Sequence, residues 1–286
     1  MNYLPKNEDI LIEVVEDFNK RNETYISYMR NQYNALEKYV VAYCNDNNKY
    51  LLGVGGKETG INYKFRKVLS EVISLKREMV TFLNSRGVNT LAHFTPLIFD
   101  DNSGSTEKHE AFITSYQEYK QNPYDYRLQR DAVWDLCGLL YLVRCNAAHT
   151  GKTSRGPNRA KIDRDTSIAK IVTEINRNIF NILMDHPERK LACYGTLVDS
   201  CYISGMQSEN GKVSGYIDYD TDGIAYFTYE SNTGTVDVKL YSCTHSIDFR
   251  DMDNYEGDAY DRICIPVNCA GSVQIANIYE RKYSYE

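Results

Sequence analysis

The stretch His186–Leu197, HPERKLACYGTL, decides how the chain is read, because the pattern of apolar residues changes on its two sides. Before it, apolar side chains recur at helical spacing: Phe65, Val68, Leu69, Val72, Leu75, Met79 and Phe82 in one segment, and Ile168, Ile171, Val172, Ile175, Ile179 and Ile182 in another. Such stripes predict amphipathic helices packed on one another. A long first helix over about 8 to 44 and another over about 125 to 148, through Leu128, Val133, Leu136, Leu140 and Val143, complete an expected bundle. Segments 86 to 124 and 149 to 164 are polar and read as loops, with one short helix between 108 and 121. After Pro187 the helical period disappears. Short runs rich in Val, Ile, Tyr and Thr alternate with Gly, Asn and Asp, as in LACYGTL, KVSGYI, IAYFTYE, TVDVKLYS, ICIPVN and VQIANIYE. The expected layout is therefore an all-α bundle over residues 1–187 followed by a small, mainly antiparallel sheet or barrel over 188–286.

Charge divides at the same place. Residues 188–286 hold 8 basic and 16 acidic side chains, net −8, and residues 1–187 hold 25 and 23, net +2. The second half is a poor match for a polyanion, whereas the first half is not. With 42% hydrophobic and 25% charged residues the composition is that of a globular chain. No apolar run approaches the roughly 20 residues that span a bilayer, and MNYLPKNEDI lacks a hydrophobic signal stretch, so the expectation is a cytoplasmic protein without membrane partners. The cysteines at 44, 137, 145, 193, 201, 243, 264 and 269 form no CxxC pair, and the scattered histidines complete no metal set. Free thiols, no metal and no cofactor are the expectation.

Two motifs carry chemistry. In the second half, YGTL (Tyr194, Gly195, Thr196, Leu197) closes the first strand, and after the strand-like runs comes DMDNYEGDAYDR, residues 251–262, with its glutamate at 256. The ordered set over about residues 190 to 282 resembles the γ-glutamyl cyclotransferase-like family, including γ-glutamylamine cyclotransferase-like proteins. The resemblance implies a β-barrel that releases 5-oxoproline from a γ-glutamyl amine or peptide, with Glu256 as catalytic acid/base. Cyclisation needs the α-ammonium deprotonated so that the amine attacks the γ-carbonyl, and the departing amine then needs that proton; one carboxylate serves both steps. Tyr194, Gly195, Thr196 and Leu197 would bind substrate, with free N–H groups of the small turn holding its carboxylate or the developing oxyanion. Tyr260 and Arg262 match the family pattern as substrate-site residues, and Gly257 would give the turn after Glu256 its backbone freedom. The sequence departs from the family in VDSCYIS, which follows YGTL, and in the short stretch before KVSGYI. A glutamate in an acidic loop is the structural alternative.

The second motif is VRCNAAHTGK, residues 143–152. Arg144 and His149, four residues apart between them, resemble the Arg-x4–6-His signature of HEPN domains, best over residues 125 to 185. In active members of that family paired Arg and His from two protomers cleave RNA without metal, which implies a homodimer. His149 would move a proton and Arg144 would stabilise charge on the scissile phosphate. On an ideal helix the two positions stand about 140° apart, so they converge only if the helix frays near Ala148 or a second subunit contributes. Lys152, Arg155, Arg159 and Lys161 form a candidate RNA-contacting loop; a solvated loop between helices is the plain alternative.

Other candidates fall away. LLGVGGKETG, residues 51–60, lacks the Gly-x4-Gly-Lys-Ser/Thr spacing and follows a helix, so it reads as a connection. Trp134 reads as core, Cys145 as a small buried residue, and His93, His109, His186 and His245 show no evident partners. Three functions stay open: a cyclotransferase at Glu256 acting on a small γ-glutamyl compound; a toxin-like or defence ribonuclease at Arg144 and His149 with a regulatory, ligand-sensing barrel; and a non-catalytic binding protein.

Overall fold

A computed structural model describes residues 4–21, 24–53, 56–74, 78–94, 103–149, 159–184, 190–199, 203–231, 233–242 and 249–282. Among them, eight helices precede a small mixed barrel: α1 Glu8–Asn19, α2 Tyr25–Asn47, α3 Ile61–Ser74, α4 Met79–Leu83, α5 Arg86–His93, α6 Ser103–Gln121, α7 Tyr126–His149 and α8 Arg159–Met184. The chain is thus α followed by β, as the change of period predicts.

The helices differ from expectation in their bounds. The single helix expected over 8 to 44 is two, α1 and α2, because Thr24 takes extended backbone and its hydroxyl accepts from the Ser27 N–H at 3.2 Å, capping a new helix start. The region 86 to 124, expected as loops with one short helix between 108 and 121, holds two helices, α5 and an α6 that starts earlier, at Ser103. Phe112, Tyr116 and Tyr119 bury one stripe of α6 at i, i+4 and i+7, a pattern diluted in the sequence by Ser, Thr and Gln between them. The loop expected to 164 ends earlier, α8 beginning at Arg159. Residues 51–60 are a connection, pinned by the bridge Leu52–Glu58 and the Gly53 N–H to Lys57 carbonyl bond of 2.7 Å. His93 and His109 each find a backbone carbonyl, of Asn89 at 2.8 Å and of Leu91 at 3.3 Å. Cys145 is half-buried and not buried.

The second part closes a barrel of strand order β1-β5-β2-β6-β7, with β1 Lys190–Cys193, β2 Ser208–Ser214, β5 Thr235–Ser242, β6 Tyr260–Cys269 and β7 Ser272–Arg281; β3 Tyr216–Tyr219 and β4 Ala225–Thr228 form a separate hairpin. All pairings are antiparallel except β1 with β7, which closes the ring through Leu191 and Asn277. Alternation along the strands sorts side chains onto two faces. Ala192, Val213, Val238, Leu240, Ile263, Ile265, Val267, Ala276 and Ile278 fill the interior with Phe227 and Tyr229. Each such aliphatic side chain contributes about 1.5–3 kcal/mol by leaving water. Leu191, Cys193, Tyr241 and Tyr279 point to the other face, where Leu197, Ile203, Phe249 and Met252 cover them.

Phe249 and Met252 belong to a helix, α9 Phe249–Glu256, where the sequence suggested an acidic turn. With apolar residues at i and i+3, two turns of helix bury one side on β1 and β7 and leave Asp251 exposed.

By clustering of backbone contacts the chain forms two units: residues 184–286 with 12–21, and 3–11 with 22–183. The segment 12–21 joins the barrel through specific bonds. Asn19 donates to the Cys264 carbonyl at 2.6 Å, and Arg21 pairs with buried Glu280 at 2.6 Å. The Tyr229 N–H also donates to Glu280, 3.2 Å to the same oxygen.

Candidate functional site

Glu256 closes α9, and the next residue, Gly257, turns the chain with φ +67° into a 3-10 turn and then β6. That left-handed angle strains any residue with a Cβ, so glycine is required to carry the chain from α9 into the ladder while leaving Glu256 at the helix end.

The helix itself is fixed from two sides. Arg262 on β6 donates to both oxygens of Asp253, at 2.9 and 3.2 Å, and to Asn277 at 3.1 Å, and its guanidinium stacks 4.7 Å from the Phe249 ring. The Tyr279 hydroxyl donates to the same Asp253 at 2.8 Å. All these donors are spent, so Arg262, expected at the substrate, sits where it holds α9 to the barrel. A forked donor set on a carboxylate fixes angle as well as distance, which a lysine in this place would not do.

Glu256 is half-buried at the end of α9. Burial pushes its pKa above the usual glutamate range. Its charge reaches three phenols. Tyr194 is raised by burial, pulled back by the Phe227 N–H, and raised further by Tyr260 and then Glu256; Tyr279 is raised by burial, then by Asp253 and last by Glu256, and Tyr260 by burial and next by Glu256. The Glu256 charge thus acts on a phenol of the YGTL turn as well as on Tyr260 and Tyr279 of β6 and β7.

Tyr194 is held in place: its hydroxyl accepts from the Phe227 N–H and donates to the Tyr279 carbonyl, both at 3.0 Å. Gly195 has φ +54° and opens a 3-10 turn, Gly195–Asp199, on which Thr196 is exposed. Leu197 is buried under that turn against α9 and β1, so its side chain serves packing. A groove of about 450 Å³ runs from Tyr194 and Gly195 along β2 and β5 past Asn210, Asp237 and Lys239. Glu256 is not among its lining residues; Tyr194, on which its charge acts, is.

In the helical unit α7 is continuous through His149, so positions 144 and 149 stand about 140° apart on one helix. Arg144 donates to Glu37 of α2 at 3.0 Å and reaches Asn34 at 3.5 Å. Burial raises the Glu37 carboxyl and Arg144 pulls it back. Lys152 and Arg155 lie outside the described residues; Arg159 and Lys161 fall in the first turn of α8. Among the described residues no cluster of three His, Cys, Asp or Glu could hold a metal, and no helix is long and apolar enough to cross a membrane.

No family model matches the chain, and neither curated proteins nor solved structures yield a match.

Proposed function

We propose that the barrel is a γ-glutamyl cyclotransferase-like enzyme that releases 5-oxoproline from a γ-glutamyl amine or peptide, with Glu256 as acid/base. The observation that carries this reading is the placement of Glu256: a half-buried carboxylate at the end of α9, directly before the Gly257 turn, with its pKa pushed up by burial. A base poised for proton transfer has its pKa moved toward neutrality.

The steps follow from that placement. Glu256, ionised, takes a proton from the substrate α-ammonium. The freed amine lone pair attacks the γ-carbonyl carbon, a new C–N bond closes the five-membered ring, and the carbonyl π electrons move to oxygen. N–H groups of the Gly195–Thr196 turn are the candidate donors for that oxyanion. As the carbonyl re-forms, the bond to the leaving amine breaks and Glu256 gives that amine the proton it took. The ring nitrogen, which carries two hydrogens after the attack, loses one through the again ionised Glu256 to water, leaving the lactam N–H. Products are 5-oxoproline and the amine, which takes up a proton from water as its ammonium, and the glutamate ends ionised.

The test is 5-oxoproline release from a panel of γ-glutamyl amines and dipeptides. Wild type should release it, and Glu256→Gln should lower kcat by roughly 10²–10⁴-fold. A panel on which wild type releases nothing overturns the reading and moves weight to RNA cleavage centred on Arg144 and His149, with His149→Ala as its decisive variant. In the helical unit the Arg144 guanidinium pairs with Glu37, so RNA cleavage there would need Arg144 to leave that partner or to act from it.

A further inference from the structure

The barrel takes in residues from far outside its own stretch of sequence. Residues 12–21 cluster with it, although the cyclotransferase-like run begins only near residue 190. Two side chains at the end of that segment grip the barrel: Asn19 donates to the Cys264 carbonyl at 2.6 Å, and the Arg21 guanidinium meets the Glu280 carboxylate at 2.6 Å. Both grips fall next to the residues that hold α9. Cys264 lies two residues after Arg262 on β6, Glu280 follows Tyr279 on β7, and Arg262 and Tyr279 are direct partners in the β6–β7 ladder. Those two side chains bind Asp253, one helical turn before Glu256.

Glu280 is a buried charge, with 6% of its side chain exposed. The oxygen that meets Arg21 also takes the Tyr229 N–H at 3.2 Å. Successive side chains of a strand point to opposite faces, so one dipeptide of β7 is held from both sides, Glu280 by Arg21 and Tyr229, and Tyr279 by Asp253 of α9. The Tyr279 carbonyl accepts the Tyr194 hydroxyl at 3.0 Å, and that hydroxyl takes the Phe227 N–H at 3.0 Å. Hydrogen bonds and chain together close a ring through Tyr194, Phe227, Tyr229, Glu280 and Tyr279, with the Glu280 charge in it and Arg21 as counter-ion. Without the guanidinium the carboxylate must take up a proton, draw in water or turn outward. Each weakens what the Tyr229 N–H finds there and disturbs the strand end that carries Tyr279.

We propose that Arg21 is a positioning residue for the barrel site: through Glu280 and Tyr279 it sets the place of the YGTL turn and of the helix that ends in Glu256. Residues 12–21 thereby complete a site that the strands alone leave loose. What the positioned site does rests on the cyclotransfer reading; the positioning rests on the bonds above.

Amide exchange of the full chain reads the positioning without requiring activity. The variants are Arg21→Gln and Arg21→Lys, with Val267→Ala, in the barrel interior, as a control for general loss of barrel stability. In Arg21→Gln, residues 194–199 and 249–256 should exchange roughly 10-fold faster than in wild type, a modest part of what breaking a buried pair costs; Val267→Ala should not single out those segments. Arg21→Lys, which keeps the charge without the fork, should fall between, and it carries the test if Arg21→Gln does not fold. Exchange unchanged at both segments overturns the proposal, as does a rise spread evenly over the barrel. Release by wild type separates the two ideas. Where 5-oxoproline forms, Arg21→Gln should lower kcat roughly 10²-fold, the cost of a base misplaced by about 1 Å, and bring the acid limb of kcat/KM down as Glu256 gains water. A smaller folded fraction scales the rate at every pH and leaves that limb in place. If release is found and the limb stays, Arg21 fails and Glu256 stands. If the two segments loosen in a protein that releases nothing, the reaction fails and the positioning stands.

Discussion

At the scale of single residues, Glu256 makes two opposed predictions for activity and stability. Because burial raises its pKa, the acid limb of kcat/KM should lie above the ordinary glutamate range of about 4.3, where initial rates across pH locate it; a limb at or below that value argues against Glu256 as base. The same shift has a definite sign in stability. A carboxyl with a raised folded-state pKa contributes stability that is complete below its unfolded pKa and lost as pH rises through the folded one. At neutral pH the ionised Glu256 therefore weighs against folding, and Glu256→Gln should melt at a higher temperature than wild type at pH 7.5, with the difference gone near pH 4. A lower melting temperature for the variant at pH 7.5 would mean that the carboxylate is held by stabilising contacts. Gly257→Ala should cost about 1–2 kcal/mol from its positive φ, read by urea unfolding, and should lower kcat because the strain falls on the link to Glu256. That Glu256 is the candidate base was legible in YGTL and in the run around YEG. That Arg262 clamps a helix was not, because its partners Asp253 and Asn277 lie 9 residues before and 15 after it, and nothing in local spacing relates them.

At the scale of elements, α9 is the piece on which the proposed chemistry depends. Its sequence, FRDMDNYE, holds only two apolar anchors in eight residues, too few turns to register as a helical stripe among so many acids. Tertiary contacts supply the rest, since Phe249 and Met252 find an apolar face on β1 and β7 and Arg262 neutralises Asp253. Arg262→Met should therefore leave the barrel closed but free the helix. We expect faster amide exchange over residues 249–256 and a kcat lowered roughly 10²-fold, the cost of a base misplaced by about 1 Å; exchange unchanged there would remove Arg262 from this role. The break between α1 and α2 has a similar origin. Apolar residues continue through Tyr25 and Ile26, so periodicity alone runs the helix on, and only the Thr24 cap geometry shows where it restarts.

At the scale of the whole molecule, the composition boundary near Pro187 is not where the contacts divide, because residues 12–21 cluster with the barrel. Arg21 and Glu280 are both largely buried, and removing one partner of such a pair leaves an uncompensated charge. Arg21→Met should destabilise the barrel by about 3 kcal/mol, measured by urea unfolding with a probe in the barrel. A fragment of residues 188–286 alone should be less stable than one that also supplies residues 12–21, by peptide addition or by fusion; equal melting temperatures would show that the segment is dispensable. The sequence by itself determined the order of helical and strand-forming halves, their charge imbalance, and the residue types placed at YGTL and YEG, because period, composition and turn chemistry are properties of neighbours along the chain. Barrel closure through β1 and β7, the recruitment of residues 12–21, and the action of the Glu256 charge on Tyr194 and Tyr260 were decided only by tertiary structure, since these join residues up to 259 positions apart, and what pairs them is complementary burial and charge that no local pattern encodes.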